Sequence, residues 1–376
     1  MSLDHARRLV LTGSSGFIGS NLIVHLSERS DLDIVPIDRH NAETELDAAL
    51  DNADIVFHLA GVNRPQDPAE FERGNHGLTA RIVSRLRERE KPPIVAATSS
   101  IQALKDNPYG LSKRAAEEEL FRLANDTDAR SYVYRLPNVF GKWCRPNYNS
   151  VVATFCHQVA NGETPSVNDA ATPVTLVYID DVVSSLIAIL DGQEPVRNGE
   201  FYTVTPTFDT TVGEIAEILQ SFPLIRTGGA LPDFAQPLQK NLYSTYLSHL
   251  SEDVIMYNAD KKSDDRGYLY ELVKSKSAGQ VFVSRTKPGI TRGNHYHHTK
   301  VEKFCVIDGT AAIRLRHLVS GDTIQIDVEG TQCRVVDIPP GYTHSITNTG
   351  DGDLLTLFWA NEIFDPDRPD TYFQPV

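Results

Sequence analysis

The chain has 376 residues, 40% hydrophobic and 23% charged, with a formal net charge of −14. The length allows two or three domains with sizeable cores, and the acidic balance argues against nucleic acid as a partner while permitting a local basic pocket for an anionic substrate. No apolar run is long enough to span a membrane and no signal peptide is expected, because residues 1–8 lead straight into a strand-like run; Cys144, Cys156, Cys305 and Cys333 lack CxxC spacing and read as reduced thiols in a cytoplasm.

In chain order, residues 9–11, 34–37, 55–59, 94–97 and 132–136 read as buried strands, and 18–28, 77–90 and 108–124 carry helical periodicity. Strands alternating with helices predict an α/β Rossmann-type, doubly wound parallel sheet. Residues 211–221 read as a helix, 228–237 are rich in Gly and Pro, and a linker is expected near 248–260. Short strands with Gly-rich turns follow at 279–284, 303–307, 311–315, 323–328, 334–338 and 354–359, which predicts an all-β sandwich or barrel. The expected division is 1–250 and 251–376.

Thr12-Gly13-Ser14-Ser15-Gly16-Phe17-Ile18-Gly19 leaves the first strand and opens the first helix. Gly13, Gly16 and Gly19 permit a tight turn and close approach to a pyrophosphate, while the helix start at Phe17 and Ile18 offers N–H donors and a positive dipole. The spacing is GxxGxxG and is decisive only in this strand–turn–helix context. Asp38 and Arg39 close the second strand. Asp38 suits a ribose 2′-hydroxyl and hence NAD; Arg39 suits a 2′-phosphate and hence NADP, so the residues leave the choice open.

Tyr109 and Lys113 form a YxxxK pair, which a helix places on one face. Lys113 can lower the phenol pKa and hold a ribose, and Tyr109 can donate a proton to a ketone oxygen. Among Thr98, Ser99 and Ser100 at the end of the fourth strand, Ser100 is the expected partner polarising that oxygen, with Ser99 second.

With the segments 54–60, 135–141 and 178–181, these motifs over about residues 8–222 resemble the extended short-chain dehydrogenases. The resemblance implies reduction, epimerisation or dehydration of nucleotide-linked sugars, Leu59 and Ala60 beside the cofactor, a structural His58, and Asn138 on the substrate side. It also favours NADPH. Lys142 and Arg145 are candidates for clamping a diphosphate, with solvated surface cations the alternative.

The second half carries Gly289-x5-His295-x-His297-x4-Glu302-x6-Gly309 and Pro339-x-Gly341-x2-His344-x3-Asn348. Residues two apart on a strand share a face, so His295 and His297 should point inward together, joined by Glu302 and His344. Three imidazoles and a carboxylate suit one divalent metal, zinc first, with coordination positions left open. The two segments resemble the paired motifs of a cupin barrel, except that Cys333 stands where a glycine usually begins the second. His298 alternates out of phase and should point away. Residues 264–271 resemble an opening segment of cupin sugar epimerases.

The order of the two parts resembles bifunctional enzymes of capsular polysaccharide synthesis that act on a UDP-2-acetamido-2,6-dideoxy-hexos-4-ulose, a UDP-linked 4-keto-6-deoxy amino sugar. That implies 3-epimerisation in the metal domain, then NADPH-dependent 4-reduction, in a homodimer. The chemistry fixes the order, since the C3 proton is acidic only while C4 is a ketone. Tyr342, Lys300 and Asp264 are candidate acids and bases in the metal domain.

Overall fold

The fully buried run Leu9, Val10 and Leu11 lies in a strand, Arg7–Thr12 (β1), that has parallel partners on both sides. The computed structural model describes residues 6–227, 231–258, 261–264, 267–270, 279–362 and 367–376. By packing, the chain forms two compact units: Met1–Val139 with Thr175–Asp209, and Phe140–Val174 with Thr210–Val376. This division groups residues 140–174 and 210–250 with the β-rich segment, whereas the motifs divide the chain by fold type at 250.

In the first unit, β1 is joined by Leu32–Ile37 (β2), Ile55–His58 (β3), Ile94–Ser100 (β4), Ser131–Leu136 (β5), Arg197–Asn198 (β6) and Phe201–Tyr202 (β7). The order is β2-β1-β3-β4-β5-β7-β6, parallel as far as β7, with β6 and β7 antiparallel. The order reverses between β1 and β3, the place where doubly wound sheets open a crevice for ligands. Helices Phe17–Leu26 (α1), Leu78–Arg87 (α2) and Pro108–Asp126 (α3) match the periodic segments. Ile82, Val83 and Leu86 of α2 and Leu120 and Leu123 of α3 pack on Val10, Val56, Val95 and Val133. Asn107 caps α3 by accepting from the Gly110 N–H at 2.8 Å, with Pro108 in the first turn.

In the second unit two five-stranded antiparallel sheets make the all-β part. Its strands are Met256–Asn258 (β8), Gln280–Thr286 (β9), Thr291–Tyr296 (β10), Glu302–Asp308 (β11), Thr310–His317 (β12), Thr323–Glu329 (β13), Arg334–Ile338 (β14), Tyr342–Asn348 (β15), Leu354–Ala360 (β16) and Tyr372–Phe373 (β17). One sheet runs β8-β14-β11-β16-β9 and the other β13-β12-β15-β10-β17, a cupin-like pair. The expected linker is a structured segment: Ile255 is fully buried, and β8 pairs with β14 from Met256 to Asn258. Cys333 has φ +41°, the left-handed backbone that glycine adopts most easily. Helices Val151–Ala160, Val212–Ser221 and Pro237–Leu247 complete this unit, and Arg226 reaches Asp337 of β14 at 2.6 Å. Residues 228–230 and the side chains of the 264–271 segment, Asp264 included, lie outside the described residues.

Candidate active sites

The turn after β1 is built for close approach. Gly13 has φ +73°, and a Cβ there would stand 2.6 Å from the Ala60 nitrogen and 2.8 Å from the Leu59 carbonyl carbon. A Cβ at Gly19 would stand 2.2 Å from the Gly13 oxygen. Glycine at these positions therefore lets α1 start directly against the exit of β3. No side chain caps α1, so the N–H groups at Phe17 and Ile18 are offered to an anion. Asp38 is partly buried and its carboxylate accepts from the His40 N–H at 2.8 Å, while Arg39 is exposed. The cradle fits a dinucleotide, and the purely local choice between 2′-hydroxyl and 2′-phosphate stays with Asp38 and Arg39.

His58 is structural, as expected. Its Nδ1 is 2.7 Å from Thr12 Oγ1 and its Nε2 2.9 Å from Thr79 Oγ1. Burial, then the nearby Lys113 charge, pushes it down to about 3.

Tyr109 and Lys113 share a face of α3, with the Tyr109 ring 5.5 Å from that of Phe71. The buried Lys113 ammonium donates to the Thr98 carbonyl at 3.3 Å. A Cβ at Gly61 would stand 3.0 Å from Nζ, so the ammonium lies beside the Leu59–Ala60 segment. Burial lowers it to about 8, against Glu117, which raises it. Ser100 Oγ accepts from the Gln102 N–H at 3.1 Å, which leaves its own proton to donate. Ser99 donates to Glu117 at 2.5 Å, so the second choice among the hydroxyls is spent on a structural partner. The Asn138 amide donates to the Thr175 carbonyl at 3.1 Å.

In the cupin-like part, one ligand atom from each of His295, His297, Glu302 and His344 lies within 4.8 Å of all the others. His295 and His344 are paired across β10 and β15, and Glu302 comes from the opposite sheet. The Nε2 atoms of His297 and His344 stand 3.3 and 3.2 Å from the same Glu302 Oε2. None of these three buried atoms has the alignment of a hydrogen bond, which fits a shared cation at their centre. His297 Nδ1 donates to the Asp370 carbonyl at 2.5 Å, turning Nε2 toward the cluster. Burial, then His344 and His297, lowers His295 to about 4, which keeps it in its ligating neutral form.

His297 departs from the expected strand alternation. β10 ends at Tyr296, and its register with β15 shifts between Gly293 and His295. His297 joins the cluster from the loop, held by Asp370, rather than by simple alternation. His298 points elsewhere, its ring 4.8 Å from Tyr372 and 5.4 Å from Tyr296. Lys300 Nζ donates to the Pro369 carbonyl at 2.7 Å, and the Tyr342 ring lies edge-on to His317 at 4.9 Å. Lys142 is buried, with 1% of its surface exposed, so the surface-cation reading fails for it, whereas Arg145 is exposed.

Two supporting residues escaped the sequence reading. Glu117 lies four residues after Lys113, a spacing that could have revealed it. Asp370 accepts the N–H groups of His298, Thr299 and Lys300 at 3.0, 3.0 and 2.8 Å; its distance along the chain hid that role.

Residues 9–205 match the NAD dependent epimerase/dehydratase family and residues 262–372 the polysaccharide biosynthesis C-terminal domain. A UDP-2-acetamido-2,6-beta-L-arabino-hexul-4-ose reductase of Pseudomonas aeruginosa is 44% identical, covering 97% of this chain and 98% of that one. The crystal structure of the capsular polysaccharide assembling protein CapF from Staphylococcus aureus is 45% identical, covering 98% and 100% of the two chains, with TM-score 0.67. A UDP-glucuronic acid 4-epimerase from Bacillus cereus in complex with NAD, 18% identical over 57% of this chain and 84% of its own with TM-score 0.51, shares the fold.

Proposed function

Since the chain belongs to the NAD dependent epimerase/dehydratase family, continued into a polysaccharide biosynthesis C-terminal domain as in CapF, we propose that it is a bifunctional nucleotide-sugar enzyme. The substrate is a UDP-2-acetamido-2,6-dideoxy-hexos-4-ulose. Residues 251–376 epimerise C3, and residues 1–250 then reduce C4, giving a UDP-N-acetyl-6-deoxy-L-talosamine-type product on the route to N-acetyl-L-fucosamine for surface polysaccharide. The observation that carries this reading is the presence, in one chain, of a Tyr109–Lys113 centre beside a dinucleotide cradle and a separate four-ligand cluster.

In the reductase centre, NADPH supplies the hydride when bound. Gly13, Gly16, Phe17, Ile18 and Gly19 receive its pyrophosphate, Asp38 and Arg39 its adenosine end, and Leu59 and Ala60 line its path. Lys113 holds the nicotinamide ribose and favours ionisation of Tyr109, whose phenol gives its proton to the C4 oxygen while Ser100 polarises that oxygen. In the epimerase centre, His295, His297, Glu302 and His344 hold a divalent ion, zinc first, which supplies Lewis acidity when bound. The imidazoles and carboxylate would fix that charge beside the substrate, and the C3 proton would pass to a base of the same domain, for which Tyr342, Lys300 and Asp264 are the candidates.

Lys142 and Arg145 remain candidates for the diphosphate, Lys142 as a buried cation. A homodimer is supported by the edge strand β9, which exposes Val281, Phe282 and Val283 at 55%, 39% and 53%, a surface suited to a second copy. We place the enzyme in the cytoplasm, where sugar nucleotides are made and its four free cysteines stay reduced. Among the described residues no helix is long and apolar enough to cross a membrane.

A second reading draws on the name of the P. aeruginosa relative, which mentions a reductase alone: a 4-ketosugar reductase whose cupin-like part only dimerises. Assaying NADPH oxidation with the UDP-4-ketosugar and measuring metal in purified protein separates the cases. Oxidation with one bound metal per chain supports the bifunctional enzyme; oxidation by a fully active, metal-free protein supports the second reading.

A further inference from the structure

Behind Lys113 the first unit holds a buried cluster of polar groups that the proposed chemistry does not touch. Arg135 grips Glu117 with a two-pronged fork, at 2.9 Å from Nε to Oε1 and 2.6 Å from Nη2 to Oε2. The Arg135 guanidinium lies 3.6 Å over the Phe201 ring, which fixes its plane. Ser99 of β4 donates to the same Glu117 Oε1 at 2.5 Å. Glu117 is 2% exposed, so its carboxylate sits in low dielectric where its field is weakly screened.

Glu117 and Lys113 lie one turn apart on α3 and both line a cavity of about 20 Å³ with Ser99, His58, Asn75 and Thr79. The other groups around the ammonium carry no compensating negative charge. Thr98 offers a carbonyl. His58 is held neutral between two threonines. Asn75 is committed to Val62 and to Ser112 Oγ. Tyr109 is on the same helix face, and the more distant Glu72 and Glu119 each pair with His76.

We propose that Glu117, clamped by Arg135 and Ser99, is a positioning residue that acts as the buried counter-charge of Lys113. It keeps the ammonium charged and aimed at the Leu59–Gly61 segment. An exposed carboxylate would be screened, and a free one would rotate into a direct pair with Lys113 and draw it off its place; burial prevents the first and the fork the second. Ser99 thereby serves the lysine rather than the ketone. The inference rests on the reading of Lys113 as the ribose-holding residue.

The test follows the alkaline limb of the kcat/KM profile for reduction and, without turnover, the pH dependence of NADPH binding by fluorescence. Removing the negative charge in Glu117→Gln favours the neutral amine, so both limbs should move to lower pH by about one unit. Ser99→Ala, which leaves the Arg135 fork in place, should move them the same way by less, and decides the matter if Glu117→Gln does not fold. Unmoved limbs in the folded variants, with Lys113→Met inactive, would overturn the proposal while leaving the role of Lys113 intact. If Lys113→Met reduces and binds NADPH like the wild type, the reading of Lys113 fails first and the proposal falls with it.

Discussion

Gly341 lies under the indole of Trp143: a Cβ at 341 would stand 2.8 Å from Trp143 Cζ2 and Nε1, and the glycine has φ +85°. Its N–H donates to the His297 carbonyl at 3.4 Å, and it precedes His344 by three residues. Close packing and left-handed backbone thus meet at a glycine that bonds to one expected ligand, His297, and stands just before the strand that carries another, His344.

Gly341→Ala should therefore destabilise the protein by about 1–3 kcal/mol from backbone strain, before any cost of displacing the indole. It should also weaken metal binding, because Gly341 bonds to the His297 carbonyl and leads into the strand that carries His344. Denaturant midpoints and zinc titration with a chelating competitor check both effects. Wild-type stability and zinc affinity together would mean that the loop tolerates a side chain there.

Arg39 is exposed beside a partly buried Asp38. If it pairs with a 2′-phosphate, Arg39→Ala should weaken NADPH binding by about 1.5–3 kcal/mol, the range for a hydrogen bond to a charged group, and leave NADH nearly unchanged. Fluorescence titration with both cofactors measures this. Equal losses for the two would remove the argument for NADPH.

The architecture was legible where one local pattern dominated. Val10, Val56, Val95 and Val133 announced the parallel sheet because each is buried on a strand between periodic helices. Periodicity found the helices near 108 and 211, and the structure adds their caps, Asn107 and Thr211. Within the expected linker, the short strand Met256–Asn258 was not legible, because its pairing with Arg334–Ile338 is visible only in three dimensions. The four-residue cluster was legible as three histidines and a glutamate at a familiar spacing. The bulge between Gly293 and His295 and the Asp370 contact were not, since register shifts and long-range hydrogen bonds leave no period in the sequence. Likewise, the sequence left Lys142 open between a diphosphate ligand and a solvated surface cation, and only its burial removes the second.

His58 gives stability a pH dependence of known sign. Its folded value is about 3, while an unfolded imidazole titrates near about 6.5. Between those values the unfolded chain binds the extra proton, so this contribution is present above about 6.5 and is lost as pH falls toward 3. The slope from this one group approaches about 1.4 kcal/mol per pH unit. Urea unfolding from pH 7 to 4.5 should show a steeper loss in wild type than in His58→Asn. Parallel curves would mean that His58 is protonated in the folded state.

Two separable reactions in one chain are the central expectation, and deuterium exchange at C3 of the 4-ketosugar tests them directly. In D2O without NADPH, the wild type should wash deuterium into C3, and Tyr109→Phe should do so equally while losing reduction by several orders of magnitude. His344→Ala should lose the exchange, because one missing ligand disturbs the whole four-residue cluster, yet still reduce ketosugar that has already been epimerised. Exchange that disappears in Tyr109→Phe and persists in His344→Ala would contradict the assignment of the two reactions. No exchange even in the zinc-loaded wild type would contradict the epimerase itself.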